Sequence, residues 1–311
     1  MHSLEKVVKG LAYSGIIGLA VAGSSCSVDG VKPRLGSYAS ATVATNFQGL
    51  NDLGSHNSVL EGSGQLYTCK AGHIDLAHLR KSADWTRYFT NKTFEHLMEG
   101  DKEFSFKMKE PSKYFVKLDY PDNWADLSFR DRKQIANDVS INLGQYFTYT
   151  GVTWHEMITW FGYKSLGFYP EFPSSFSWED GFSNFLGVYL AGKVLKDNVG
   201  DFDKSMTLAL EEELIKLDVQ PANVSKKAAE KVKGKWYSGD FLSVDMKKRN
   251  FSTGIDGGMI VPWIIPDVCE CEGKEPQKYQ LPDFGISKYG FSMKLEIEQV
   301  IRKLNQGRIQ A

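Results

Sequence analysis

The segment Thr153 to Gly162 reads TWHEMITWFG, and its His155-Glu156 pair opens like the HExxH helix of zinc metallopeptidases. In that helix two histidines one turn apart grip the metal and the glutamate activates water. Thr159 stands where the second histidine belongs, so a metal here needs ligands from elsewhere in the chain. Two further segments offer them. Asp75 precedes His78 by one turn on a stripe that continues through Ser82, Trp85 and Phe89, and His73 lies just ahead of it. A carboxylate at that spacing can hold one imidazole nitrogen and leave the other for a metal or a substrate proton. In EFPSSFSWEDGFSNFLG, Glu171 to Gly187, Ser177 and Asp180 have the S-x-x-D spacing of a capping box, which accounts for Asp180. Glu179 then heads a largely apolar stripe as the extra carboxylate, with Asn184 as a neutral partner.

The chemistry expected of this set is metal-dependent hydrolysis. His78, Glu179 and His155 would hold a divalent cation, zinc suiting mixed nitrogen and oxygen donors best. Glu156 would activate water, and Asp75 and Asn184 would support the ligands from behind. The plain alternative for the same residues is a buried polar network that keeps helices in register. A third reading pairs Cys69 with His73 or His78 as a thiol nucleophile and its base.

Helices must position these groups. Trp154, Met157, Ile158 and Phe161 fall at i, i+3, i+4 and i+7, the spacing of a buried stripe, while Glu156 points almost opposite, on the side of Trp160. Large aromatics on both sides predict a helix buried on both sides and make Glu156 a buried carboxylate, stable only if paired, metal-bound or protonated. The periodicities predict helices over 74–89, 128–162 with a break near Thr150 and Gly151, 177–195, 201–217 and 222–236. Two alternating runs around Glu110-Pro111-Ser112 predict a hairpin, and 291–297 a late strand. The class is α+β: buried central helices with a small antiparallel sheet, one domain over 67–311 after a surface-wrapping segment over 26–66.

Residues 1–25 read as a lipoprotein-type signal. Lys6 and Lys9 precede the apolar run Leu11 to Ala22, too short to span a bilayer, and small residues lead into Cys26, the expected lipidation site and membrane anchor. Gly23 departs from the usual aliphatic position of that pattern, and Ser27 fits outer-membrane sorting. Cys69, Cys269 and Cys271 remain, an odd number in an oxidising compartment, with the pairing open. The net charge of −1 offers no basic excess for nucleic acid. The lysines of 226–235 alternate with alanine and glutamate as on a solvated helix face.

Several blocks resemble, in order, the bacterial domain of unknown function 4056 family: LGSHNS (53–58), YTCKAGHIDLAHLRKSADWT (67–86), HEMITWFG (155–162), SSFSWEDGFSNFLG (174–187) and PDVCEC (266–271). The resemblance implies an envelope protein, often a lipoprotein, and brings no activity with it. His78 and Glu156 match its pattern, whereas His73 and His155 stand where other residues are usual. The rival expectation is a non-catalytic envelope lipoprotein that binds a wall fragment, a glycan or a partner protein, in keeping with an aromatic content of 13%.

Overall fold

The computed structural model describes residues 33, 46–57, 63–108, 112–165, 169–197, 200–239 and 244–299. Residues 1–25, expected to be a signal, and Cys26 lie outside the described residues. Strands β1 (Gln65–Thr68) and β2 (Gly72–Asp75) form an antiparallel hairpin whose last residue is also a helix cap. Asp75 Oδ1 accepts from Ala77 N at 2.7 Å and His78 N at 3.2 Å, satisfying two of the free donors that open α1 (Leu76–Glu99). That helix runs ten residues past the predicted Phe89, because Thr93 and Leu97 continue its buried face through a polar-looking stretch.

Helix α2 (Phe129–Trp160) is one unbroken element of 32 residues, opened by Ser128 accepting from Asp131 N. The predicted break at Gly151 does not occur. Gly151 serves a close approach instead: a Cβ there would strike the sulfur of Met108. Helix α3 (Asp180–Asp197) uses Gly187 in the same way, where a Cβ would meet the Leu79 carbonyl. With these contacts α1, α2 and α3 each pack against the other two. Trp85, Phe147, Phe185 and Leu186 are fully buried between them, each contributing about 1.5–3 kcal/mol of apolar burial. Helices α4 (Phe202–Lys216) and α5 (Ala222–Val232) flank this core.

The predicted hairpin and late strand join in one sheet, ordered β11-β4-β3, from β3 (Glu103–Phe106), β4 (Ser112–Asp119) and β11 (Ser292–Gln299). All pairings are antiparallel, with Val116 opposite both Phe104 and Leu295. Two-residue ladders complete the strands: β5 (Lys164–Ser165) with β6 (Tyr169–Pro170), β7 (Tyr237–Ser238) with β8 (Asp245–Met246), and β9 (Met259–Ile260) with β10 (Tyr279–Gln280). The result is α+β, as the patterning predicts. Leu53 and His56, ahead of β1, are buried against this body.

Cys69, in the β1–β2 turn, is disulfide-bonded to Cys271 across 202 residues, and Cys269 is an exposed free thiol. Closing so long a loop stabilises the fold by about 2–5 kcal/mol. Among the described residues no helix is long and apolar enough to cross a membrane.

A second expectation is overturned. Only part of the stripe from Trp154 to Phe161 faces the core: Trp154 packs against it and Ile158 is buried, but Met157 is 37% and Phe161 85% exposed. The inward face carries Val152, Thr153, Glu156 and Thr159 instead, because α2 ends at Trp160 and its last turn projects past the core.

Candidate functional site

The start of α1, the start of α3 and the last third of α2 meet at one buried polar cluster. Ser183 joins the first two: its hydroxyl accepts from Asp75 N at 2.9 Å and donates to the Glu179 carbonyl at 2.7 Å. This fixes where the carboxylates of both segments lie. Asp75 Oδ2 stands 2.9 Å from His78 Nδ1, and Asp180 Oδ1 approaches the same nitrogen at 3.4 Å. One ligand atom from each of the three residues lies within 4.8 Å of the others. Glu179, adjoining in sequence, is 4% exposed, and its Oε2 has no hydrogen-bond partner.

The electrostatics follow from burial. Desolvation pushes the Asp180 pKa up to about 7, with His78 opposing and the Glu156 and Asp75 charges adding to the rise. Glu179 is raised well above the carboxylate range by burial first and the Asp180 charge second. Burial disfavours the His78 imidazolium, yet Asp180 and Asp75 outweigh it and raise the pKa. The cluster gathers several buried carboxylates about one imidazole, and the buried Lys81 also acts on His78 and lowers its pKa, so the acids are balanced by cations and by retained protons.

Glu156 is buried on the Asp180 side, its charge felt there. Its Oε2 accepts from Phe176 N at 2.8 Å. Phe176 has φ 52, a left-handed conformation that costs a bulky residue about 1–3 kcal/mol unless its surroundings hold it. Asn250 N donates to the Phe176 carbonyl at 2.9 Å, and the Arg249 guanidinium donates to Ser175 Oγ at 3.1 Å and the Pro173 carbonyl at 3.3 Å. Glu156 and Arg249 thus pin the turn that delivers Glu179 and Asp180.

The remaining sequence candidates lie apart from His78. His155 Nε2 pairs with Glu171 Oε2 at 3.2 Å on the outer side of α2, and His155 joins none of the three ligand clusters found among the described residues. His73 is fully buried, with Nε2 3.0 Å from the Ser225 carbonyl and its pKa lowered to about 4 by burial. Asn184 Oδ1 accepts from Ser82 Oγ at 2.8 Å and ties α3 to α1. The capping box predicted from Ser177 and Asp180 is not formed: α3 begins at Asp180 itself, and the Asp180 carboxylate turns to His78.

Sequence reasoning missed a second cluster. His56 Nε2 lies 3.1 Å from Asp84 Oδ1, and Asp203 completes the group. Here Arg87 Nη1 stands 3.5 Å from Asp203 Oδ1 and compensates the acids. The available signal was LGSHNS itself, a histidine in a short polar turn. A groove of about 500 Å³ between α1 and α2, lined by Thr90, Phe94, Lys133 and Asn137 among others, includes none of the His78 cluster.

The donors fit a small divalent ion. Asp75 Oδ2 on Nδ1 leaves the imidazole Nε2 as nitrogen donor, and the Asp180 and Glu179 carboxylates supply oxygen donors beside the ring. One imidazole nitrogen with carboxylate oxygens suits zinc, manganese or iron.

The sequence matches the family model described as "Protein of unknown function (DUF4056)" over residues 37–247, and the chain belongs to that family. No curated protein and no solved structure matches it. The fold continues past the matched residues, since β11 and Cys271 both bond back into them.

Proposed function

We propose that this protein is a bacterial envelope lipoprotein, anchored through Cys26, whose His78 cluster binds a divalent metal, zinc above all, and serves a hydrolytic reaction. The observation that carries the reading is the approach of Asp75 and Asp180 to one nitrogen of His78, with the partnerless Glu179 Oε2 buried beside them. His78, through Nε2, and Asp180 would hold the ion, Glu179 would complete the set, and Asp75 would hold the ring through Nδ1. A bound zinc polarises a carbonyl or phosphoryl oxygen and makes water more acidic. The chain's own contribution is to keep the imidazole oriented through Asp75, to exclude water, and to place Glu156 as proton acceptor at its remaining oxygen.

The test is hydrolysis of ester, amide and phosphate substrates by protein reconstituted with zinc, manganese or iron, beside Glu156→Gln. Metal-dependent turnover lost in a folded Glu156→Gln variant supports the reading, and turnover indifferent to both metal and Glu156 overturns it.

A second reading, a binding protein without turnover, is favoured by one observation. Glu156 already commits Oε2 to Phe176 N, a positioning role that needs no chemistry. In that reading the metal cluster is a structural centre that orders a ligand-binding surface.

A further inference from the structure

We propose that the outer edge of β11 is a self-association surface, on which a second copy of the chain pairs so that the two three-stranded sheets join as one. β11 (Ser292–Gln299) is an edge of the order β11-β4-β3, and it pairs with β4 without interruption from Ser292 opposite Asp119 to Gln299 opposite Ser112. Among the described residues no other backbone bonds to its far side. An edge of 8 residues with no proline, glycine or bulge is one that folded proteins cover, because its free N–H and C=O groups can pair with another extended chain. The opposite edge, β3, has only 4 residues. The apolar side of β11 is open as well: Met293, Leu295 and Ile297 pack against the main core yet stay half-buried.

The strand's own sequence selects the occupant. SMKLEIEQ alternates, with Lys294, Glu296 and Glu298 exposed on one side and Met293, Leu295 and Ile297 on the core side. Two copies related by a two-fold axis pair antiparallel, and keeping core side beside core side requires the axis to pass through a residue. An axis at Lys294 sets lysine against lysine, and one at Glu296 sets glutamate against glutamate. An axis at Leu295 sets Lys294 opposite the partner's Glu296 twice over, Met293 opposite the partner's Ile297, and Leu295 against its own copy. Unlike charges on facing residues attract and like charges repel, so charge fixes this register and the strand is its own complement. Lys294 Nζ lies 2.6 Å from Glu296 Oε1 within one copy, both side chains exposed, and the pairing would close them into a ring of four alternating charges. An unrelated extended peptide would meet the same backbone without this match. Neither the metal reading nor the anchor enters the inference.

The experiment is sedimentation velocity over a concentration series on the chain bearing Cys26→Ser, which blocks lipidation, and Cys269→Ser, which blocks a disulfide between copies. A concentration-dependent equilibrium between monomer and dimer is expected. Lys294→Glu sets like charges across the axis and should weaken association about tenfold. The exchange Lys294→Glu/Glu296→Lys restores unlike charges in the same register and should recover the dimer, with thermal unfolding of the monomer unaltered in both variants. A parent that stays monomeric, a dimer indifferent to Lys294→Glu, or an exchange variant that fails to recover overturns the proposal. A monomeric parent that dimerises once cut back to Gln299 overturns it in favour of residues 300–311 as the occupant of the edge.

Discussion

Asp75 is bonded to His78 twice, through Oδ1 to the backbone nitrogen that opens α1 and through Oδ2 to the imidazole Nδ1. The residue that starts the helix therefore also orients the ring carried on its first turn, and the two tasks can be separated by mutation. Asparagine caps as well as aspartate but brings no charge to the ring. Asp75→Asn should keep the melting temperature nearly unchanged while weakening metal binding by about 10–100-fold, read by zinc titration against a chelator. A variant that binds zinc as tightly as the parent would remove Asp75 from the site.

The raised acid at position 180 gives a pH signature in metal-free protein. With its pKa moved from 3.8 to about 7, the folded state binds a proton that the unfolded chain has released, so this contribution stabilises at low pH and is lost as pH rises through about 7. His73, lowered from 6.5 to about 4, acts oppositely: it costs stability as pH falls below its unfolded value. Over the shared window the two offset each other, so the profile of the parent alone is uninformative. Asp180→Asn should steepen the loss of stability on acidification and gain relative to the parent near neutral pH. Parallel unfolding profiles for parent and variant would contradict the assignment.

Glu156 separates into a pin and a base. Glu156→Ala leaves Phe176 N without an acceptor and should cost about 1–3 kcal/mol in denaturant unfolding, whereas Glu156→Gln retains an acceptor and should cost much less. Equal losses in the two variants would mean that charge, rather than the Phe176 contact, sets the stability at this position.

Removing the Cys69–Cys271 bridge by Cys271→Ala should lower stability by about 2–5 kcal/mol. Peptide mapping of the parent should find Cys269 alkylatable without reduction. A Cys269-containing disulfide in that map would contradict the pairing.

Helix α1 is legible in its apolar periodicity, α3 because it is apolar nearly all round, and β3, β4 and β11 because they alternate. Gly151 misled: a helix-interior glycine reads as a weak point, but here it admits Met108, a contact between residues 43 apart that no local pattern announces. Glu156 was expected to be buried, and it is, for a different reason. The expected reason was aromatic cover on both faces, whereas α2 turns its acid face inward and leaves Met157 and Phe161 outside. Asp180 was assigned to capping on local spacing. Its role beside His78 depends on Ser183 bridging two helices, a tertiary fact. His155 reads in the sequence as a candidate ligand next to Glu156, yet adjacent residues on a helix diverge by about 100 degrees, and only Glu156 faces the cluster.

The measurement that tests the central claim most directly is metal content by mass spectrometry of the purified chain without a histidine tag, beside a His78→Ala/Asp180→Asn variant shown to be folded. About one equivalent of zinc, manganese or iron in the parent, lost in the variant, is the predicted result. A parent that holds no metal after equilibration with each of the three ions, or a variant that retains it, would contradict the account.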